Sequence, residues 1–213
     1  MTPVVHLALL RHGPTAWNRS RRIQGLTDEP LDEAGRAHLG SWRLPESWIA
    51  SAWITSPLRR CRETAAILAA SHRHEGPIDV EPRLIEMSHG EWEGERLVDL
   101  RARLGERMTA LEDRGLDYRA PGGESPREVQ QRLRPWLQEI AAADSDRLAI
   151  THRGIIRALH AMAVGWDMTG KPPVKLRDDC LQLFAIARDG QPRVEQLNVP
   201  LTASQAMRGA ARS

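Results

Sequence analysis

The stretch Leu9-Leu10-Arg11-His12-Gly13-Pro14-Thr15-Ala16-Trp17-Asn18 decides how this chain is read. It closes an apolar run, Val4-Val5-His6-Leu7-Ala8-Leu9-Leu10, with the length and composition of a buried strand. The run stops abruptly at a cation, an imidazole and a glycine. A buried strand ending in Arg and His is locally frustrated, and such conflicts mark functional sites. In an open α/β sheet, ligands sit beyond the carboxyl ends of the strands. Gly13 lets the backbone turn there and present amide N–H groups to an anion. The stretch therefore points to an oxyanion site with a nucleophilic or acid–base histidine.

Arg147-Leu148-Ala149-Ile150-Thr151 repeats the pattern: a strand followed at once by His152, with Gly154 close behind. If the two strands are parallel neighbours, the two imidazoles meet. Between them, Ser51 to Thr55 and Ile78 to Glu81 read as further strands. Asp32 is an N-cap for a helix to Leu39–Trp42, with Ala34, Ala37, His38 and Trp42 facing inward. Ser56-Pro57 opens a helix whose inward stripe is Leu58, Cys61, Ala65 and Leu68. Arg59, Arg60 and Arg62 in its first turns oppose the helix dipole, which calls for a nearby anion.

The loop from Arg19 to Pro30 carries Gln24 and Gly25 near the first histidine. Leu97, Leu100, Leu104, Met108 and Leu111 predict one amphipathic helix within residues 95 to 116, lying over the site. Ser125-Pro126-Arg127-Glu128 is a capping box for a helix kinked at Pro135. Leu181 to Ala187 and Arg193 to Leu197 form a closing hairpin. The fold expected is a three-layer α/β/α sandwich with a mostly parallel central sheet and a small helical cap. It is read as a single domain over 1–201, with the cap inserted at about 86–122 and a flexible tail at 202–213.

Composition narrows the partners. The net charge of +2 on 213 residues argues against nucleic acid or an anionic membrane as the main partner. The Arg bias, with only Lys171 and Lys175 as lysines, runs along the whole chain and is read as compositional. Cys61 and Cys180 form no metal-type pair, and the N-terminal run lacks the flanks of a secretion signal. A cytoplasmic protein with no membrane span is expected, and a homodimer is admitted. His72 and His74 read as solvated surface rather than metal ligands, and Asp178-Asp179 as a charged turn. The tryptophans read mostly as packing, with Trp17 and Trp92 candidates for the pocket wall.

Two histidines, two arginines and a carboxylate suit phosphoryl transfer. A histidine nitrogen can attack phosphorus, and fixed cations stabilise the oxygens where charge accumulates.

These residues carry a resemblance to the histidine phosphatase superfamily, the phosphoglycerate mutase-like proteins. Its opening motif stands as Arg11, His12, Gly13, Thr15 and Asn18, and its second element as Ser56, Leu58, Arg60, Thr64 and Ala65. Its third stands as Leu84, Glu86, Gly90 and Gly94, followed by Gly123-Glu124-Ser125 and Thr151-His152-Arg153-Gly154. The resemblance implies that His12 is the phosphorylated nucleophile and Glu86 the proton donor, with Glu91 and Glu93 as alternatives. It also implies that Arg11, Arg60 and His152 clamp the phosphoryl oxygens, with no metal and no cofactor. Thr15, Asn18, Gln24, Gly25, Thr151 and Arg153 are the substrate contacts expected. The partner is a small phosphorylated metabolite, or phosphate itself.

Gly90-Glu91-Trp92-Glu93-Gly94 is similar to the phosphatase branch, including α-ribazole phosphatases. Met87-Ser88-His89 departs from it. In the short Glu95–Gly122 segment the Lys and Arg-Arg elements of the mutase insertion have no clear counterpart. A phosphoglycerate mutase or a catalytically idle phosphate-binding module are the alternatives.

Overall fold

The computed structural model describes residues 4–143 and 145–202. Among the described residues, eight α-helices and six strands follow in chain order: β1 (Val5–Arg11), α1 (Ala16–Arg19), α2 (Glu33–Leu39), α3 (Glu46–Ile49), β2 (Ala52–Thr55), α4 (Arg59–His72) and β3 (Ile78–Val80). After them come α5 (Leu97–Leu104), α6 (Glu106–Glu112), α7 (Pro126–Ala143), β4 (Arg147–Thr151), α8 (Arg153–Val164), β5 (Cys180–Ile186) and β6 (Pro192–Pro200). The strands form one sheet in the order β3-β2-β4-β1-β5-β6. The first four are mutually parallel, and β5 runs against both of its neighbours.

β1 is apolar at successive positions because both of its faces are covered. Leu7 and Leu9 pack with Ala149 under α7 and α8. Ala8 and Leu10 pack with Leu148 and Ile150 under α2 and α4. All four β1 side chains are fully buried, each leucine contributing about 1.5–3 kcal/mol. A third, smaller apolar cluster of Trp92, Leu100, Met108 and Ala120 lies in the cap segment. The layers expected from the sequence are those observed. The expected tail falls, beyond Thr202, outside the described residues.

Four local expectations are corrected. The 95–116 helix is two, α5 and α6, because the chain turns at Gly105 with φ +51. The buried face of α2 is carried by Gly35 and Leu39, while Ala34 and Ala37 are exposed. A β-carbon on Gly35 would sit 2.1 Å from the Pro14 carbonyl oxygen, so glycine is what lets α2 approach the turn after His12. α4 starts at Arg59 rather than Pro57, and its first amide is capped by the Asp28 carboxylate at 2.6 Å. The Ser56 hydroxyl bonds His152 instead. The capping box is present: the Ser125 and Glu128 side chains each accept from the other's backbone N–H. α7 runs without interruption through Pro135.

Candidate active site

Because β1 and β4 are adjacent and parallel, with Arg11 paired to Thr151, their ends coincide. The His12 amide donates to the Thr151 carbonyl at 3.0 Å. The imidazoles of His12 and His152 follow at a ring-centroid distance of 5.3 Å.

His12 is 5% exposed and lines a cavity of about 550 Å³. Its Nδ1 lies 2.7 Å from the Gly13 carbonyl oxygen, and a carbonyl only accepts, so the proton is on Nδ1. Nε2 makes no hydrogen bond with the described residues. Burial, then the positive charges of Arg11 and Arg60, hold the imidazole well below the usual histidine range. The ring is neutral near neutral pH and keeps a lone pair on Nε2.

Arg60 is fully buried on the first turn of α4. It donates to the carbonyls of Gly25 and Thr27, each at 2.8 Å, and to His152 Nδ1 at 3.3 Å. No carboxylate among the described residues pairs with it. Arg59, by contrast, is neutralised by Glu63. The dipole conflict read from the sequence thus resolves for Arg59 and persists for Arg60, at the cavity wall.

His152 is fully buried and does not line the cavity. Its Nδ1 accepts from Arg60, so its proton is on Nε2, donated to the Ser56 hydroxyl at 2.7 Å. With both nitrogens engaged, it supports Arg60 and backs His12 rather than offering a donor to the cavity. Burial, then Arg60, depress its titration strongly.

Arg11 is paired with Asp178 at 2.7 Å, and Asp178 also pairs with Arg153. The charged-turn reading of Asp178 is therefore incomplete. β5 is antiparallel to β1, so the residues entering β5 lie at the edge where β1 ends. The hairpin's orientation was the available signal.

Of the three candidate carboxylates only Glu86 lines the cavity. Its oxygens accept from the Met87 amide at 2.8 Å and the Gly154 amide at 3.3 Å, the latter at the N-terminus of α8. A β-carbon at Gly154 would lie 2.3 Å from Glu86 Oε1, so this approach requires glycine. Arg132 of α7 donates to the carbonyls of Arg83 and Ile85 and is itself held by Glu124 at 2.8 Å. The Gly-Glu-Ser turn thereby fixes the backbone that carries Glu86. Glu91 is exposed. Glu93 is spent on the Leu26, Thr27 and His89 amides and the Thr27 hydroxyl. Burial pushes its carboxyl up, but these bonds outweigh that and leave it below the usual range. It staples the cap to the loop that holds Arg60.

Among the expected contacts, Asn18, Gln24, Gly25 and Arg153 line the cavity. Thr15 and Thr151 do not: both are fully buried. Thr15 caps α1 through Asn18, and the Thr151 hydroxyl donates to the Leu84 carbonyl at 2.9 Å. Trp92 lies in the cap core, and neither it nor Trp17 lines the cavity. The cavity lining also includes Met87 and His89 of the divergent Met87-Ser88-His89 loop, and Arg22, Leu97, Arg101 and Tyr118, which the motif reading did not single out. Burial, then nearby Glu112, raise the Tyr118 phenol to about 12. His72 bonds the Leu44 amide and the Leu68 carbonyl, and His74 stacks on Trp53 at 4.3 Å, so both are structural rather than solvated surface. No helix among the described residues is long and apolar enough to cross a membrane.

A phosphoryl-transfer site of this build defines a class, and the comparisons agree with it. Residues 7–200 match the model of the histidine phosphatase superfamily (branch 1). The chain belongs to that superfamily and is an enzyme of it, with phosphatases and phosphoglycerate mutases among its relatives. It is 33% identical over 180 residues to a probable phosphoglycerate mutase GpmB of Serratia proteamaculans, covering 82% of each chain. To a glucosyl-3-phosphoglycerate phosphatase of Mycolicibacterium vanbaalenii it is 31% identical over 185 residues, covering 79% of this chain and 78% of that one. The native structure of a mycobacterial glucosyl-3-phosphoglycerate phosphatase superposes with a TM-score of 0.70 at 27% identity, covering 94% and 100%. An α-ribazole phosphatase from Shigella flexneri shares the fold, with a TM-score of 0.73 at 21% identity over 93% and 98% of the chains.

Proposed function

We propose that this protein is a metal-independent phosphomonoesterase acting on a small phosphorylated metabolite through a phosphohistidine on His12. The observation that carries the reading is the pairing of a buried, neutral imidazole with Arg60, whose charge no carboxylate among the described residues pairs with. A phosphoryl group with charge on three oxygens supplies what Arg60 lacks. Nε2 of His12 attacks phosphorus and the bond to the leaving oxygen breaks, Glu86 giving that oxygen its proton. Water then attacks the phosphohistidine as Glu86 takes its proton back, the P–N bond breaks, and phosphate leaves. Arg11 and Arg60 stabilise the equatorial oxygens, and Asn18 holds one edge of the site. His152 acts by positioning Arg60 and His12.

The phosphatases among the relatives support this direction, and their substrates, as named, are phosphate esters of small metabolites. The short cap segment with α5 and α6 favours hydrolysis over the mutase reaction. The test is release of p-nitrophenol from p-nitrophenyl phosphate in EDTA, with acid-labile phosphate trapped on the protein. His12→Ala abolishes both. Turnover that needs added metal, or that survives His12→Ala, overturns the reading.

A further inference from the structure

A second cavity, of about 230 Å³, lies along α8 beyond the catalytic one. Arg11, Arg153 and Arg157 line both, so only this row of arginines divides them. Arg153, Arg157 and His160 stand at i, i+4 and i+7 and share one face of α8. Gly154, at the start of the same helix, holds the Glu86 carboxylate. Arg157 follows one turn later, about 4.5 Å along the axis.

The charges in this region do not balance. Asp178 is the sole carboxylate lining the second cavity, and it is shared by Arg11 and Arg153. Arg157 makes no ion pair among the described residues; Glu86 acts on it only through space, and burial and the neighbouring Arg153 outweigh that attraction. Its guanidinium rests over the Trp166 ring at 5.6 Å from the centroid. The other cap-side arginines are engaged: Arg101 with Glu112, and Arg22 with the Gly94 carbonyl. A half-buried guanidinium without an ion-pair partner costs stability unless a ligand supplies one. His160, 1% exposed at the same cavity, has no hydrogen-bond partner for either ring nitrogen among the described residues. Buried polar atoms are rarely left so unless something occupies the space.

Resting on the phosphomonoesterase reading, we infer that the leaving portion of the substrate carries a second anionic group. Arg157 binds it where the catalytic cavity meets the cavity along α8. His160 lies one turn further and offers a hydrogen bond to whatever extends beyond that anion. Such a residue selects substrates: a phosphate ester with a neutral leaving portion leaves Arg157 desolvated and unpaired, so it is bound less well.

A matched pair of non-hydrolysable probes tests this without requiring turnover. Phenylphosphonate and 4-carboxyphenylphosphonate differ only in a carboxylate, roughly one helical turn from the phosphorus. The wild-type protein binds the carboxylated probe about tenfold more tightly by calorimetry, the size of one charge-assisted contact. Arg157→Met, which keeps the stem over Trp166, loses the preference, and Arg157→Lys retains part of it. A preference that is absent in the wild type, or equal in Arg157→Met, overturns the inference. Hydrolysis of 4-carboxyphenyl phosphate, which satisfies Arg157, is measured alongside. Its absence overturns the phosphatase reading, while the probe preference still decides the role of Arg157.

Discussion

The two walls of the catalytic cavity are built on different physical terms. The wall at the strand ends carries Arg11, His12 and Arg60, backed by His152: His12 and Arg60 are held by backbone carbonyls, His152 by Ser56, and Arg11 by Asp178 just before β5. The facing wall takes Leu97 and Arg101 from α5 and Tyr118 from the chain after α6, over a cluster of four buried residues. One side is held by the main core, and its side chains have almost no freedom. The other is held by a small satellite core and by the Glu93 staple. On the proposed mechanism the chemistry sits on the rigid wall, and the cap wall is free to differ in what it admits.

The contrast can be broken most directly at Glu86, which stands between the walls. Glu86→Gln keeps its shape but cannot give up a proton, so kcat falls by roughly 10²–10⁴-fold with little change in unfolding temperature. Esters with activated leaving groups, which need no proton, lose least, and comparing p-nitrophenyl with alkyl phosphates checks this. A smaller loss follows from Gly154→Ala, whose methyl displaces the Glu86 carboxylate. A shift of about 1 Å costs on the order of 10²-fold in kcat, so full activity in this variant breaks the argument that Gly154 seats Glu86. Tyr118→Phe, on the cap wall, changes KM for extended substrates within about tenfold and leaves kcat for small esters near the wild-type value. An equal fall in kcat for every ester would place Tyr118 with the chemical wall.

The smallest effect concerns stability and pH. Burial lowers the titration of His12, His152 and His160 below the ordinary histidine value. Below about pH 6.5 the unfolded chain binds protons that the folded one refuses, so stability falls as pH drops. The contribution is complete above that pH and is lost as pH falls toward the depressed folded values. Thermal unfolding at pH 7.5 and 5.5 therefore shows a midpoint several degrees lower at the acid pH. His160→Leu, which removes one such group, narrows the gap.

What the sequence made legible follows the same division. β1 and β4 are apolar runs that end in a charged or polar residue and then a histidine. Two parallel strands of that kind have one sensible arrangement, and it was readable. Arg60 needed its motif to be told from Arg59, and the structure separates them by Glu63. Asp178 was missed because its place depends on β5 running antiparallel to β1, a relation between distant segments that no local pattern states. Thr15 and Thr151 were misjudged because a hydroxyl beside a catalytic residue looks alike in sequence whether it faces substrate or caps a helix. The break at Gly105 was hidden by an apolar spacing that continues across it. Arg157 is invisible without coordinates, since what distinguishes it is an ion pair that no described residue makes with it.

The hydrogen bond from the His12 amide to the Thr151 carbonyl has a consequence for how this enzyme tolerates change. The distance between the two imidazoles is inherited from the repeat of the sheet, about 4.8 Å between neighbouring strands. It does not depend on which apolar side chains fill the core beneath. Substitutions at Leu7 or Leu9 therefore draw down stability while each folded molecule keeps its spacing. The reacting geometry is gauged by backbone, and the core is left free to drift around it.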